Sequence, residues 1–189
     1  MTSQKPPSPP GKRERLLQAA RRSYHRRGLA HSTLKVVAAE AAVPLGNVYY
    51  YFPTREALTH AVLEDARRDL RRRLATFEEH PDSRDRLIAY LDASIQRAQE
   101  AARYGCPFTA LASDTRKQGE PNAGLAADIL RTYQNWFADQ WRDSWNAELT
   151  AEEFFAAVQG AYALAHGTHD PALFTRLLTR LRGRVRHLG

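Results

Sequence analysis

Apolar residues recur at helical spacing from Lys12 onward. Basic residues fill the remaining faces of this first segment, and Gly28 supplies a stop signal. A second helix is predicted to begin after Ser32 or Thr33, whose hydroxyls can cap its first amides, and to end before Pro44. The inward positions of these two helices are Leu16, Leu17, Ala20 and Tyr24, followed by Leu34, Val37, Ala38 and Ala41.

Residues 43–53, with the sequence VPLGNVYYYFP, place four aromatic rings in succession. A glycine and a proline bracket the rings and leave room for only a short helix. Because a helix spreads four consecutive side chains around most of its circumference, some of these rings must face outward. Val48 and Phe52 are predicted to be buried, and Tyr49 and Tyr50 to be exposed.

Two short helices joined by a tight turn have the spacing of a helix-turn-helix. Small residues at Ala38 and Ala41 would let the two helices cross closely. In such a motif the first helix crosses the phosphate backbone and the second lies in the major groove of DNA. Outward tyrosines suit that surface, since each offers a flat apolar body and a hydroxyl.

The remainder of the chain continues the helical pattern. Thr54 is a predicted N-cap, and an apolar stripe runs from it to Phe77. Further helices are predicted over 84–103, after Pro107, and over 125–147, 151–166 and 171–188. No segment alternates with the period of a strand for long enough to build a sheet. The predicted fold is therefore all-α, with a three-helix N-terminal unit joined to a helical remainder.

Positive charge is concentrated at one end of the chain. The formal net charge is +7, and the first 53 residues hold nine basic and two acidic side chains, so they carry the whole surplus. This asymmetry is expected when one end of a molecule meets a polyanion. A solvated basic face that serves solubility is the alternative.

The composition excludes several other classes of protein. A single cysteine, Cys106, rules out an internal disulfide framework. The longest apolar run, residues 154–165, is interrupted by Gln159 and is shorter than the roughly 20 residues that a membrane span needs. We therefore expect a cytoplasmic protein that does not enter a membrane.

Residues Arg13 to about Val62 closely resemble the DNA-binding domain of TetR-type transcriptional regulators. The matching pieces, in order, are LLQAARRSYHRRGL, the Ser-Thr opening of the second helix, VVAAEAAV, GNVYYYF and TREAL. The resemblance implies a homodimeric repressor that binds a double-stranded DNA operator through its N-terminal domain and a small effector through its C-terminal domain. The aromatic residues of the C-terminal part predict an apolar or aromatic effector, and no cofactor is predicted.

The sequence also predicts a domain division, and the resemblance implies a set of DNA contacts. Residues 1–11 are expected to form a disordered arm, 12–53 with the next helix to about 62 the DNA-binding domain, and 54–189 the effector and dimerisation domain. Thr33, Tyr49 and Arg55 match phosphate or backbone contacts, and Tyr50 matches a position that often reaches a base edge. The predicted DNA-binding residues are Thr33, Lys35, Leu45, Gly46, Asn47, Tyr49, Tyr50 and Arg55.

The sequence departs from the pattern of the family in two places, Ala42 and the pair Pro44-Leu45. Ala42 replaces the usual turn glycine, so a left-handed backbone there would cost about 1 kcal/mol or more. Pro44-Leu45 replaces a common Ser-Lys pair, which removes one phosphate contact and leaves Leu45 free to touch a thymine methyl.

Aromatic side chains are frequent between residues 90 and 162. Ordinary core packing accounts for most of them. A cavity between helices for a flat or apolar molecule is the sharper interpretation. Its predicted lining is Tyr90, Phe108, Tyr133, Trp136 and Phe137.

The last two predicted helices combine small residues with a leucine seam. Such a surface suits a four-helix interface between two chains, although packing inside one chain would give the same pattern. A dimer is also needed for two recognition helices to read a palindrome. The predicted interface residues are Gly160, Ala161, Ala165, Leu173, Leu177, Leu178 and Leu181.

Other functions find less support in the sequence. Cys106 before Pro107 allows a redox sensor, with a buried thiol as the alternative. His166, His169 and Asp170 resemble a metal site but lack a further ligand, so no metal is predicted. No nucleophile, base or metal constellation indicates an enzyme, and no catalytic residue is predicted. A non-specific architectural nucleic-acid-binding protein is the main rival to the regulator.

Overall fold

The computed structural model describes residues 11–141 and 150–187. Within these ranges it contains ten helices and no strand, so the predicted all-α fold is confirmed. The helices are α1 Lys12–Arg27, α2 Leu34–Glu40, α3 Leu45–Tyr51, α4 Arg55–Phe77, α5 Ser83–Ile95, α6 Ala98–Tyr104, α7 Pro107–Lys117, α8 Ala123–Trp141, α9 Ala151–Thr168 and α10 Pro171–Arg186. None of the helices in the described ranges is long and apolar enough to cross a membrane.

The chain divides into two compact units, Met1–Val62 and Leu63–Gly189. Helix α4 begins in the first unit, where Leu58 and Val62 are buried, and continues into the second, where Leu70 and Leu74 are buried. One helix therefore contributes to the core of both units.

The core of the first unit is built from the predicted apolar faces of α1 to α3. Its fully buried side chains include Leu16, Val37 and Val48. Two buried polar contacts accompany them: the Ser23 and Ser32 hydroxyls lie 2.8 Å apart, and the hydroxyls of Tyr24 and Thr59 lie 3.2 Å apart. Because buried hydroxyls are costly without partners, these bonds favour one arrangement of the helices.

Helix α9 begins and ends with local signals that the sequence contains. Thr150 accepts from the amide of Glu153, and the Glu153 carboxylate accepts from the amide of Thr150, which makes a reciprocal capping box. His169 closes α9 in a left-handed conformation, with φ of 52°. Asp170 then caps α10 by accepting from the amide of Leu173 at 2.9 Å.

The prediction of a single helix over 84–103 is wrong, because this segment forms two helices, α5 and α6. The backbone leaves helical geometry at Arg97, with φ of −102° and ψ of 19°. Just before the break, the Ser94 hydroxyl donates to the carbonyl of Tyr90 at 2.8 Å, a contact that tends to bend helices. No glycine or proline marks this position, so the apolar pattern of the sequence does not indicate the break.

Some predicted elements extend outside the described residues. These are the N-terminal arm before Gly11, the end of the helix predicted over 125–147, and the last residue of the helix predicted over 171–188. Gly11 itself is the N-cap residue of α1.

The second unit is organised around aromatic rings and leucines. Phe137, Phe154 and Phe174 are fully buried, as are Leu91 and Leu178. Helix α10 packs against α5, α6 and α9, while α8 packs against α5, α7 and α9. This arrangement surrounds the central phenylalanines with helices and places several tyrosines at the margin of the core.

Candidate nucleic-acid interface and ligand cavity

The N-terminus of α2 is organised by Thr33. Its hydroxyl oxygen accepts from the amide of Val36 at 3.3 Å, so the capping role predicted from the sequence is confirmed. Thr33 and Lys35 are both exposed. The hydroxyl hydrogen of Thr33 and the Lys35 ammonium are therefore available to an anion at the start of this helix.

The turn between α2 and α3 depends on a left-handed alanine. Ala42 has φ of 51°, and its amide donates to the carbonyl of Ala39 at 3.2 Å. The amide of Val43 donates to the carbonyl of Ala38 at 3.0 Å, which completes a Schellman motif. This position normally favours glycine, so Ala42 strains the turn that sets the direction of α3.

Helix α3 presents an uncharged surface to its surroundings. Val48 is fully buried, whereas Tyr49 is 53% exposed, Tyr50 is 81% exposed and Leu45 is 38% exposed. The Tyr50 ring meets Tyr51 edge to face, with centroids 5.0 Å apart. Burial of a tyrosine body is normally favourable, so two rings held in water on one short helix indicate a surface that meets a partner.

Gly46 and Asn47 lie in the first turn of α3. Gly46 is exposed, and a Cβ added there would meet nothing within 4 Å, so the position leaves open space beside the helix. The amide of Asn47 donates to the carbonyl of Pro44 at 2.9 Å, and its side chain is half-buried.

The start of α4 is tied to the loop that follows α1. The Arg55 guanidinium donates to the carbonyl of Leu29 at 3.1 Å. Thr54 accepts from the amide of Ala57 at 3.1 Å, as its predicted capping role requires. The guanidinium of Arg13 lies over the Phe52 ring, 5.4 Å from its centroid, and covers the end of α3. Arg55 is thus partly committed to holding the unit together.

A cavity of about 300 Å³ lies within the second unit. Residues from α4, α5, α7, α8 and α9 line it, together with Arg97 and Cys106 from the adjoining turns. The lining residues are Arg73, Leu74, Thr76, Phe77, Tyr90, Ala93, Ser94, Arg97, Cys106, Pro107, Phe108, Tyr133, Gln159 and Tyr162.

The aromatic members of the lining form a continuous wall. The Tyr90 ring lies 5.8 Å from Phe77 and 6.3 Å from Tyr133, centroid to centroid. Tyr133 in turn lies 5.5 Å from Phe108. Edge-to-face contacts of this kind hold the rings in defined orientations.

The phenols in the cavity remain protonated under ordinary conditions. Burial raises the pKa of Tyr90 and of Tyr133 well above the usual range. Burial is also the main cause that raises the pKa of Tyr162 to about 12. The three hydroxyls are therefore hydrogen-bond donors at neutral pH.

The structure separates the predicted cavity residues into two groups. Tyr90, Phe108 and Tyr133 line the cavity, whereas Trp136 and Phe137 do not. Both of the latter are buried in the adjacent core, where Phe137 lies 5.0 Å from Tyr90 between ring centroids. Each of the five lies at a position where the helical pattern predicts burial. The pattern therefore does not distinguish residues that line the cavity from those packed behind them in the core.

Sequence reasoning missed the polar members of the lining. Ser94, Arg97 and Tyr162 lie on segments that are distant in the sequence from Tyr133. Arg73 also belongs to the lining. Asp69 pairs with Arg73 at 3.2 Å, as the four-residue spacing predicts, and with Arg72 at 3.2 Å. No local signal in the sequence separates Arg73 from its neighbours.

The predicted dimer residues are largely covered within the chain. Ala161, Ala165, Leu178 and Leu181 are buried, while Gly160, Leu173 and Leu177 are half-buried. Helix α10, which carries the leucine seam, packs against α5, α6 and α9 of the same chain. On the outer face of α9, Leu164 is 53% exposed beside the exposed small residues Ala156, Ala157 and Gly167.

The other two candidate sites have structural partners. Cys106 is buried, precedes the first residue of α7 and contributes to the cavity wall. The Nδ1 atom of His166 lies 3.3 Å from the carbonyl oxygen of Ala102, and Asp170 caps α10. Across residues 11–141 and 150–187, no three His, Cys, Asp or Glu side chains are grouped so that they could hold a metal ion.

The short α2 and α3, their tight turn and the exposed α3 define a helix-turn-helix DNA-binding protein. Residues 16–62 match the profile of the bacterial regulatory proteins of the tetR family. The chain is 30% identical over 165 residues to the HTH-type transcriptional regulator TtgR of Pseudomonas putida, covering 78% of this chain and 77% of that protein. It is 25% identical over 144 residues to the HTH-type transcriptional regulator LmrA of Bacillus subtilis, covering 75% and 77%.

Solved structures show the same fold. A TetR transcriptional regulator from Legionella pneumophila superposes with a TM-score of 0.80 at 18% identity, over 95% of this chain and 98% of that one. A TetR-family regulator from Agrobacterium tumefaciens also gives 0.80, at 20% identity, over 92% and 96%. The chain belongs to the tetR family of bacterial regulatory proteins and is a DNA-binding transcriptional regulator.

Proposed function

We propose that this regulator is a homodimeric repressor that leaves a palindromic operator when a small aromatic effector fills the cavity of its second unit. The observation that carries the proposal is the pair of exposed tyrosines on α3, 53% and 81% accessible, in the part of the chain that holds the whole excess of positive charge. In this division, residues 12–53 and α4 to about 62 bind DNA, and the remainder binds the effector and the second copy.

The proposed DNA contacts fall into two groups. Thr33, Lys35, Tyr49 and Arg55 would meet phosphates and position the motif without reading sequence. Leu45, Gly46, Asn47 and Tyr50 would face the base edges. The exposure of Leu45 and Tyr50 supports apolar contact with thymine methyl groups, and the half-buried amide of Asn47 suits a donor and acceptor pair on adenine.

The proposed dimer uses the outer face of α9 rather than the leucine seam of α10. Leu164 is the largest exposed side chain there, and its small neighbours allow close approach of a second helix. A two-fold contact would place this face against itself. Leu164→Glu is expected to give a monomer in size-exclusion chromatography with light scattering, while the exposed control Gln99→Glu stays dimeric. A dimeric Leu164→Glu protein would contradict this interface.

Helix α4 is the proposed mechanical link between effector and operator. Its early residues Leu58 and Val62 belong to the first core, and its late residues Thr76 and Phe77 line the cavity. A ligand that shifts the end of α4 would thus act on the same helix that helps to hold the DNA-binding unit. A coupling of about 1–3 kcal/mol is typical of allostery and would change operator affinity by roughly 5- to 150-fold.

Selection from random DNA tests the specificity of binding. We expect enrichment of a palindrome whose half-sites are about one helical turn apart. Uniform binding with a steep dependence on salt would instead support a non-specific nucleic-acid-binding protein.

Once an operator is known, its affinity at fixed salt with and without effector tests the coupling. An effector that binds tightly and leaves operator affinity unchanged would contradict the proposed release.

A further inference from the structure

The size of the cavity limits its ligand. An apolar protein cavity of about 150 Å³ holds one benzene molecule. The cavity here has a volume of about 300 Å³. It therefore suits one or two aromatic rings with a small polar substituent.

The polar groups of the lining are mostly donors. Three phenols, a serine and a threonine hydroxyl, a thiol, a glutamine amide and two guanidinium groups are present, while no Asp or Glu belongs to the described lining. The Thr76 hydroxyl already donates to the carbonyl of Arg73 at 2.7 Å. The Ser94 hydroxyl already donates to the Tyr90 carbonyl, and the Gln159 amide oxygen already accepts from Thr109 at 2.7 Å. The Ser94 side chain also bonds to the hydroxyls of Tyr90 and Tyr162. The capacity left for a ligand therefore consists largely of the Tyr133 hydroxyl and the guanidinium N–H groups, which require an acceptor.

Arg97 supplies positive charge to this donor set. Its Nε and Nη2 atoms both donate to one oxygen of Glu100, at 3.0 and 2.8 Å. Nη1 has no hydrogen-bond partner among the residues that the structure describes, so part of the guanidinium is left for a ligand. Since the Arg97 and Glu100 side chains are 38% and 43% exposed, their ion pair alone contributes little stability.

The charges of Arg73 and Arg97 influence the pKa values of phenols in the cavity wall. Although burial is the dominant influence and raises the pKa of Tyr133, the charges of Arg73 and Arg97 oppose that rise. Arg97 has the same opposing effect on Tyr162. Arg73, Arg97, Tyr133 and Tyr162 all line the cavity, so the positive charge of the guanidinium groups is available beside these phenols.

We propose that the ligand of this cavity is an aryl carboxylate of one or two rings, with its carboxylate directed to Arg97 and Tyr133 and its rings against Phe77, Tyr90 and Phe108. The inference rests on the proposed function, in which this cavity is the effector site. Beyond the proposed function, the inference specifies the charge and the size of the ligand. A guanidinium with free N–H groups and neighbouring hydroxyls gives an anion charge-assisted hydrogen bonds that a neutral amide does not receive.

Calorimetric titration of the full chain with three matched probes tests the ligand class. The probes are naphthoate, naphthamide and naphthylmethylammonium, which share a ring system and differ in the charge of the substituent. We expect naphthoate to bind about tenfold more tightly than naphthamide, and the cation to bind most weakly. Equal affinities of naphthoate and naphthamide, tightest binding of the cation, or no binding of naphthoate would each overturn the proposal.

Variants of Arg97 and its neighbours test the position of the carboxylate. Arg97→Gln is expected to lower naphthoate affinity about tenfold and to leave naphthamide affinity nearly unchanged. Glu100→Gln removes a nearby negative charge and is expected to raise naphthoate affinity severalfold. Arg103→Gln is the matched control, because Arg103 is exposed on α6, makes its cation–π contact with Tyr104 and lies outside the lining. Unchanged discrimination in a folded Arg97→Gln protein would overturn the assignment.

The titrations contain no DNA, so the two proposals can fail separately. If naphthoate binds with the expected preference and does not change operator affinity, effector release is contradicted and the ligand class stands. If another compound releases the operator while naphthoate does not bind, the ligand class is contradicted and effector release stands.

Discussion

The tyrosines of α3 in the first unit and those of the cavity in the second unit are used in opposite ways. Tyr49 and Tyr50 on α3 are largely exposed, whereas Tyr90 is buried and Tyr133 is half-buried against Phe137. In the first unit one face of α3 packs against α1 and α2, and the rings on its other face stay in water. In the second unit several helices enclose the rings. The same side chain thus serves an outward surface in one unit and a cavity wall in the other because of the number of helices around it.

Removal of a central ring in the second unit should have the largest effect. Phe137 is fully buried and contacts several other rings, so Phe137→Ala is expected to lower the free energy of unfolding by about 3–5 kcal/mol. Tyr50→Ala removes an 81% exposed ring and should change this free energy by less than about 0.5 kcal/mol. Denaturant unfolding followed by circular dichroism measures both. Equal losses in the two variants would contradict the distinction between the units.

The exposed ring should matter for DNA instead. Tyr50→Ala is expected to weaken operator binding by about 1–3 kcal/mol, because a base-edge contact is lost. Lys35→Gln removes a proposed phosphate contact and should weaken binding to all sequences similarly, with a smaller salt slope. Fluorescence anisotropy with operator and scrambled duplexes separates these effects. A Tyr50→Ala protein with unchanged preference for the operator would remove Tyr50 from the readout.

Alkaline pH should destabilise the second unit through its enclosed phenols. The folded pKa of Tyr162 is about 12, above the ordinary value of about 10 for an unfolded chain. The stabilising contribution of the neutral phenol is therefore complete below about pH 10 and is lost as pH rises from about 10 to 12. Unfolding experiments across this range should show a smaller pH dependence in Tyr162→Phe. A pH dependence identical to that of the unaltered protein would contradict the burial of this hydroxyl.

The smallest expected effect concerns the turn before α3. Ala42 is exposed and has a positive φ, so Ala42→Gly should raise the free energy of unfolding by about 0.5–1 kcal/mol. Ala39→Gly, three residues earlier in the regular part of α2, should lower it by about 1 kcal/mol. Opposite signs in thermal unfolding would establish that the turn is strained. A destabilising Ala42→Gly would show that the strain is relieved elsewhere.

Local features of this chain were predictable where their cause is also local. Thr33, Thr54 and Gly28 mark helix ends because caps and stops depend on neighbouring backbone groups. The exposure of Tyr49 and Tyr50 follows from the run of four consecutive rings, because four successive side chains cannot all lie on the buried face of one helix. The break at Arg97 escaped prediction, since it involves a serine back-bond that many uninterrupted helices also contain.

The sequence by itself determined the all-α fold, the helix-turn-helix and the family, because helical periodicity, capping and turn chemistry act over a few neighbouring residues. The tertiary structure decided which aromatic rings line the cavity and which lie behind them. It also covered Leu178 and Leu181 with helices of the same chain and left Leu164 exposed. Arg97, Tyr133 and Tyr162 line one cavity only after helices that are distant in the sequence pack together. The hydrophobic pattern of a sequence indicates that a side chain is buried, but it does not identify the residues that surround it.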